Sequence, residues 1–233
     1  QARVRMGEQL ADQAPVDADM VMGVPESGIP AAEGYARRSG IPFGQGLVKN
    51  RYIGRTFIAP SQEMRALGVR MKLNPLRDNI EGRRLVVVDD SIVRGTTTKA
   101  MVAMLREAGA REVHLRVSSP PYRWPCFYGI DMSTIEELFA PRFLKGGELT
   151  PALEQEMAQA LGADSLRYLP LDAIARCVEL PASDLCQACL DGKYPTEAGR
   201  KLYQLALEKP AQCDPGKPRR TYDAPVVRTT ART

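Results

Sequence analysis

Hydrophobic positions change period several times along the chain, and the changes divide it into alternating helices and strands. Val4, Leu10 and Ala11 recur at helical spacing in QARVRMGEQLA, so the chain opens on a helix. Asp19 to Val24 reads as a short strand, followed by the turn Pro25-Glu26-Ser27-Gly28 and a helix from about Ile29 to Arg38. Leu85 to Asp89 begins with an unbroken Val-rich run, the pattern of a parallel strand buried on both faces. Met101, Met104, Leu105 and Ala108 then fall at helical spacing, Gly109 stops that helix, and the methionines read as core filler. Val113, Leu115 and Val117 alternate with His114 and Arg116, which predicts a strand with one polar face. A helix is expected from Thr150 to Ala163, a strand from about Ser165 to Leu169, and a helical region from Asp184 to Lys209 interrupted near Pro195. Strands alternating with helices predict an open α/β fold, in which ligands bind beyond the carboxyl ends of the strands.

The chemistry concentrates in Arg83 to Thr98, RRLVVVDDSIVRGTTT. Asp89 and Asp90 stand at the end of the apolar strand, and Ser91, Arg94, Gly95, Thr96, Thr97 and Thr98 fill the short loop before the next helix. A helix N-terminus offers unpaired N–H groups and positive dipole charge, Gly95 allows close backbone approach, and the threonines add hydroxyl donors, so this loop suits a phosphate. Two carboxylates beside a phosphate would repel it unless ribose hydroxyls or a divalent cation such as Mg²⁺ offset them. A phosphate on one side and a diol or metal on the other describes a ribose 5-phosphate. The same stretch is also compatible with an ordinary strand, turn and capped helix. No G-x-x-x-x-G-K-[ST] sequence occurs, so a nucleotide P-loop is excluded.

Three further loops belong to the picture. Glu26, Ser27 and Gly28 form a second strand-to-helix turn at the same kind of position. Lys49 to Arg77 carries seven cations, Lys49, Arg51, Arg55, Arg65, Arg70, Lys72 and Arg77, against the single acid Glu63. A solvated basic loop and a nucleic-acid patch are alternatives, but a lid closing over a polyanionic leaving group fits this density better. Ser118 to Met132, SSPPYRWPCFYGIDM, is a proline- and aromatic-rich loop of the kind that carries function. His114, the sole histidine, sits inside a predicted strand, where a satisfied structural role is expected.

Composition narrows the class. The 233 residues suffice for one large or two small domains, and 44% hydrophobic with 26% charged residues is ordinary for a globular protein. No apolar run approaches the ~18 residues that span a bilayer, and no signal-peptide pattern opens the chain, so no membrane partner and a cytoplasmic location are expected. The net charge is +4, but Lys217, Arg219, Arg220, Arg228 and Arg232 against Asp214 and Asp223 place most of it in residues 210–233. That stretch is expected to be a disordered basic tail, and the near-neutral body gives no reason to expect a nucleic-acid partner.

VVVDDSIVRGTTT resembles the phosphoribosylpyrophosphate motif of type I phosphoribosyltransferases, and SIVRGTT is more narrowly similar to the amidophosphoribosyltransferase family. VPESG, KNRYIGRTF, VRMKLN and YGIDM continue the likeness in one order over roughly residues 1–205. The resemblance implies a type I phosphoribosyltransferase fold over 1–145, a mostly parallel sheet flanked by helices, with a C-terminal helical extension over 146–209. It implies the formation of phosphoribosylamine and pyrophosphate from phosphoribosylpyrophosphate and glutamine-derived ammonia, the entry to purine synthesis. By the same likeness Asp89 and Asp90 would hold the ribose hydroxyls, residues 94–98 the 5-phosphate, and Glu26, Ser27 and Gly28 the pyrophosphate or its Mg²⁺. Lys49, Tyr52 and Arg55 would reach the leaving group from a loop expected to be mobile without ligand, and residues 118–132 would lie on the acceptor side. The family's glutaminase domain, with its N-terminal Cys nucleophile, is not in this sequence, so the chain is expected to be the C-terminal part of a longer enzyme that forms homo-oligomers. A base-adding phosphoribosyltransferase and a non-catalytic phosphoribosylpyrophosphate sensor are the rival readings.

Five cysteines, Cys126, Cys177, Cys186, Cys189 and Cys213, argue against a disulfide framework. Cys186 and Cys189 form C-x-x-C, a spacing shared by redox pairs, Zn sites and Fe–S clusters. One branch of the resembled family carries a 4Fe–4S cluster, and Cys126, Cys186 and Cys189 match three of its ligand positions. The fourth is expected upstream of this chain, with Cys177 and Cys213 as weaker substitutes.

Overall fold

The computed structural model describes residues 1–50, 72–130, 132 and 134–208. In chain order the elements are α1 (Ala2–Gln13), β1 (Met20–Gly23), α2 (Ile29–Ser39), β2 (Leu47–Lys49), β3 (Leu73–Pro75) and the single turn α3 (Arg77–Ile80). There follow β4 (Arg84–Asp89), α4 (Thr96–Glu107), β5 (Glu112–Val117), α5 (Pro141–Leu144), α6 (Pro151–Leu161) and β6 (Ser165–Tyr168). Helices α7 (Leu171–Val178), α8 (Ala188–Asp191) and α9 (Glu197–Glu208) end the described part.

The main sheet has the order β1-β4-β5-β6, and every pair in it is parallel. Phe43 adds a parallel bridge to Val21 on the outer side of β1. Alternation along the strands sends side chains to two separate cores. Met20, Met22, Leu85, Val87, Val113, Leu115 and Val117 pack with Met101, Leu105, Met157 and Leu161 of α4 and α6. Val21, Val86 and Val88 pack on the other face with Leu10, Ala31, Tyr35 and Ala173 of α1, α2 and α7. A sheet covered on both faces explains why β4 is apolar at every interior position. β2 and β3 form a separate antiparallel pair, closed beyond its end by Asn50 N–H donating to Lys72 O at 2.7 Å.

Glycine sets the approach of α1 to α2. A Cβ on Gly7 would stand 1.8 Å from Ala31 O, and one on Gly34 would stand 2.0 Å from Val4 O. Helix ends follow local chemistry as well. Thr150 Oγ1 accepts from Leu153 N at 3.3 Å to cap α6, Pro151 takes its first turn, and Gly162 at φ 79° closes it.

Most predicted elements stand within one or two residues of their expected bounds. The polar face predicted for β5 is corrected: both faces are buried, and Arg116 is only 2% exposed. Its Nε donates to Ala14 O (3.0 Å), while Nη1 donates to Leu115 O (2.8 Å) and Ser165 Oγ (3.1 Å). The carbonyl of the α1–β1 connection thus accepts what solvent was expected to take, and burial pulls the guanidinium below its ordinary range. His114 has the satisfied role expected of it, its ring nitrogens lying 3.0 Å from Ser165 Oγ and 3.0 Å from Glu112 Oε2. The expected helical region 184–209 is two helices, α8 and α9, with Gly192 at φ 77° ending the first. α7 was not anticipated, and β6 carries the sheet past residue 145. Among the described residues no helix is long and apolar enough to cross a membrane.

Replacing Gly34 with Ala should lower unfolding stability by about 1–3 kcal/mol, because the new methyl meets backbone on the neighbouring helix and cannot be relieved by a rotamer change. Denaturant unfolding measures this, and an unchanged midpoint would show that α1 does not seat on α2 in solution.

Candidate active site

Two loops leave the sheet side by side. Gly23 pairs with Val88, and Val24 N–H donates to Val88 O at 2.9 Å, so β1 and β4 end at one level. From β1 the chain turns into α2 on one face, and from β4 it turns into α4 on the other. The crevice between two such loops is a topological switch point, where open α/β sheets bind ligands. Gly28 closes it from below: its N–H donates to Val24 O at 3.0 Å, and a Cβ there would lie 2.4 Å from Val88 O. The Pro25–Glu26 peptide in this turn is cis. Ser27 lies in the same turn, where its carbonyl accepts from Arg3 Nη1 at 3.2 Å.

On the β4 side Asp89 and Asp90 occupy the strand end. Asp90 N–H donates to Asp89 Oδ1 at 2.8 Å, and Ser91 Oγ donates to Asp90 Oδ1 at 3.2 Å. Ser118 N–H and Oγ both donate to Asp89 O, at 2.9 and 3.2 Å, which fixes the Asp89 backbone from β5. Burial at the strand end, with the adjacent Asp90 charge, pushes the Asp89 carboxyl up to about 8. Hard oxygen donors held this close without a cation are the set that Mg²⁺ or a vicinal diol satisfies.

The loop then reaches Gly95 at φ 80°, a left-handed conformation that turns the chain into α4. No side chain caps α4, so the N–H groups of its first turn, bordered by the hydroxyls of Thr96, Thr97 and the buried Thr98, stay available for an anion. Arg94 points sideways, its Nε and Nη2 donating to Glu137 Oε2 at 3.1 and 3.0 Å. Lys49 Nζ, at the end of β2, lies 3.6 Å from Glu26 Oε2, which brings the second strand pair to the β1 turn. Tyr52 and Arg55, with the rest of 51–71, lie outside the described residues.

The predicted cysteines gather elsewhere. Cys126 is in the loop after β5, Cys189 in α8 and Cys186 just before it. Arg123 N–H and Trp124 N–H donate to Cys189 O at 3.0 and 3.1 Å, and Tyr194 Oη donates to Pro125 O at 2.6 Å, so the two segments are bound together. Burial pushes the Cys189 thiol up to about 11, with Cys126 and Cys186 contributing in the same direction. Among the described residues no three His, Cys, Asp or Glu side chains form a set able to hold a metal ion. In a 4Fe–4S cluster each thiolate binds a different iron, so its ligands do not converge on one point.

The sequence reading missed Glu137 and Phe139, and it named Ser118 only as the start of the loop 118–132, without its hold on Asp89. Phe139 N–H donates to Val93 O at 2.8 Å, and its ring covers Gly95. No local motif announces these residues, because each acts on the loop through a contact distant in sequence.

A parallel sheet with a switch-point crevice, an acidic pair and an open helix N-terminus defines a type I phosphoribosyltransferase domain. A family described as phosphoribosyl transferase domain matches residues 5–119. Amidophosphoribosyltransferase of Mycobacterium bovis is 56% identical over 200 residues, 86% of this chain and 37% of that protein. The enzyme of the same name from Methanothermobacter thermautotrophicus is 48% identical over 194 residues, covering 83% of this chain and 39% of its own. Among solved structures, glutamine phosphoribosylpyrophosphate amidotransferase from B. subtilis, complexed with ADP and GMP, superposes with a TM-score of 0.69 at 51% identity, over 84% of this chain and 42% of that one. The chain belongs to the amidophosphoribosyltransferase family and spans about two fifths of the length of these relatives.

The raised Asp89 carboxyl has a consequence for stability. Its folded value, about 8, lies above the ordinary 3.8, so the folded state binds the extra proton between those limits and loses stability as pH rises through them. Asp89→Asn should therefore raise the melting temperature relative to the wild type more at pH 8 than at pH 4.5. Thermal melts without ligand at both pH values check this; equal shifts would place Asp89 in an ordinary solvated setting.

Proposed function

We propose that this chain is the phosphoribosyl-transfer half of an amidophosphoribosyltransferase, in which ammonia displaces pyrophosphate from C1 of phosphoribosylpyrophosphate to give 5-phosphoribosylamine. The observation that carries the reading is the crevice between the β1 and β4 loops, with the Asp89–Asp90 pair and the uncapped start of α4 at the two ends of the β4 loop.

The roles follow from chemistry. The first-turn N–H groups of α4 and the hydroxyls of Thr96, Thr97 and Thr98, with Ser91, Arg94 and Gly95 shaping the loop, hold the 5-phosphate. Asp89 and Asp90 accept from the ribose hydroxyls. As the bond from C1 to the leaving oxygen stretches, positive charge grows on the ribose, and the two carboxylates favour that state over the ground state. Pyrophosphate departs toward Glu26, Ser27 and Gly28, with Lys49, Tyr52 and Arg55 closing on it. Ammonia then forms the new C–N bond and sheds a proton, so the protein supplies no nucleophile of its own. Mg²⁺ would be held by Asp89, Asp90 and Ser27 Oγ, and when bound it neutralises charge on the diphosphate. The remaining length of the relatives is where a glutaminase domain supplying ammonia would lie, in a cytoplasmic homo-oligomer.

Cys126, Cys186 and Cys189 are proposed as three thiolates of a structural 4Fe–4S cluster, with the fourth outside this chain. The cluster would bind the extension after β6 to the loop 118–132, in support of the hydrogen bonds already there.

Mixed with phosphoribosylpyrophosphate and Mg²⁺, the protein should release pyrophosphate when ammonium is added, and not with nucleobases or with neither. Release with a nucleobase would make it a base-adding enzyme, and binding without release in any arm would make it a sensor. Asp89→Asn with Asp90→Asn should lower the ammonium-dependent rate by about 10²-fold or more while the fold survives. The longer enzyme, prepared without oxygen, should contain stoichiometric iron and sulfide; a preparation lacking both would remove the cysteine assignment.

A further inference from the structure

The loop between β4 and α4 has a brace that the mechanism above does not use. It runs from residues 134–139, a segment that includes a short 3-10 turn over Ile135–Glu137. Three contacts tie that segment to the loop. Glu137 Oε2 accepts from both Nε and Nη2 of Arg94, with the side chains 32% and 25% exposed. Phe139 N–H donates to Val93 O at 2.8 Å, on the residue before Arg94. The Phe139 ring, 5% exposed, lies over Gly95, where an added Cβ would stand 2.7 Å from ring Cδ2. Three consecutive loop residues are therefore each held by one segment.

The segment is itself anchored. Thr134 O accepts from the N–H groups of Glu137 and Leu138 at 3.1 and 3.2 Å, Arg142 Nη2 donates to Glu137 O at 3.2 Å, and the Phe139 ring packs on Phe143 at 5.0 Å. Leu138 and Ala140, on either side of Phe139, are fully buried. Glu137 is thus a carboxylate on a fixed support, and Arg94 a cation on a loop that leads into a helix start without a side-chain cap. Two N–H groups directed at one oxygen orient the guanidinium as well as attract it.

We infer that Glu137 is a positioning residue: through Arg94 it holds the loop 93–95 in the shape that aims the first N–H groups of α4 at the 5-phosphate. The inference rests on the phosphoribosylpyrophosphate reading and adds to it a residue remote from the DDSIVRGTTT motif. Arg94 then acts through its pairing with Glu137, and the phosphate is held mainly by backbone and hydroxyl donors. Removing either partner of the pair frees the other and lets Gly95 leave its place under Phe139.

The test uses the full chain with Mg²⁺ and reads two quantities, the calorimetric dissociation constant for phosphoribosylpyrophosphate and hydrogen exchange at the amides of Thr96, Thr97 and Thr98. Glu137→Ala should weaken binding about tenfold and speed exchange at those amides, while Glu137→Gln, whose amide oxygen still accepts from Arg94, should stay within about threefold of the wild type. Arg94→Ala should match Glu137→Ala, and the double variant should bind no more weakly than either single one. Should Glu137→Ala fail to fold, Arg94→Lys, which keeps the charge but not the two-donor contact, should still weaken binding by about threefold and speed exchange. Unchanged affinity and exchange in the folded variants would overturn the inference, as would additive losses in the double variant, which would mean that Arg94 touches the substrate directly. A wild-type protein that fails to bind phosphoribosylpyrophosphate, with exchange still faster in Glu137→Ala, would reject the functional reading and leave the brace standing.

Discussion

Parallel pairing of β1 with β4 is the constraint on which the rest of the site depends. Because Gly23 stands opposite Val88, the two strands release their loops at one height and to opposite faces, and the crevice between them follows. The pairing cannot slip. Side chains alternate with a period of two, so a one-residue shift would exchange the Met20, Met22, Leu85 and Val87 core for the Val21, Val86 and Val88 core. The same shift would carry Asp89 to the other face and remove Gly28 from beneath Val88 O.

At that fixed strand end the protein accepts an electrostatic cost. Asp89 is held against Asp90, with its backbone secured by Ser118 and, among the described residues, no cation in its hydrogen-bonding set, and burial beside Asp90 pushes its carboxyl up to about 8. A core position evolved for stability alone would carry no such pair. The cost is relieved by whatever supplies hydroxyl donors or positive charge to both carboxylates at once, and a ribose diol beside a metal-bound diphosphate supplies both. Binding and ionisation of the pair are therefore linked: a ligand that prefers the charged form draws the proton off Asp89.

The elements legible in the sequence were those whose own residues carry the signal. VVVDD declared a strand buried on both faces and ending in acids, and it stands where the pattern put it, whereas Thr96, Thr97 and Thr98, expected in the loop, form the first turn of α4. Arg116 misled because alternation with Val113, Leu115 and Val117 reads as a polar face, whereas the structure covers that face with the carbonyl of Ala14, a partner that periodicity does not contain. α7 went unread although Leu171, Ile174, Ala175 and Val178 recur at helical spacing, because eight residues after Pro170 fall short of the 11–18-residue window over which that period is counted. The Glu137–Arg94 contact spans a sequence separation of 43 residues, and only the tertiary fold brings the two together.

The loop 118–132 gives the C-terminal extension a physical route to the crevice. Trp124 meets Tyr203 of α9 edge-on at 5.2 Å, Phe127 lies 5.1 Å from Tyr194, and Tyr128 shares a hydrogen bond with Thr196 at 3.1 Å. Aromatic packing of this kind outweighs the exposed ion pair Lys201–Glu197 on α9, so α8 and α9 are held to the rest of the chain chiefly through the loop they cover. At the loop's other end, burial lifts the Tyr122 phenol above its ordinary range, and Cys189 and Asp90 add to the effect. α8 and α9 therefore fix the backbone of a loop that starts at Ser118, the residue whose N–H and Oγ both hold Asp89 O.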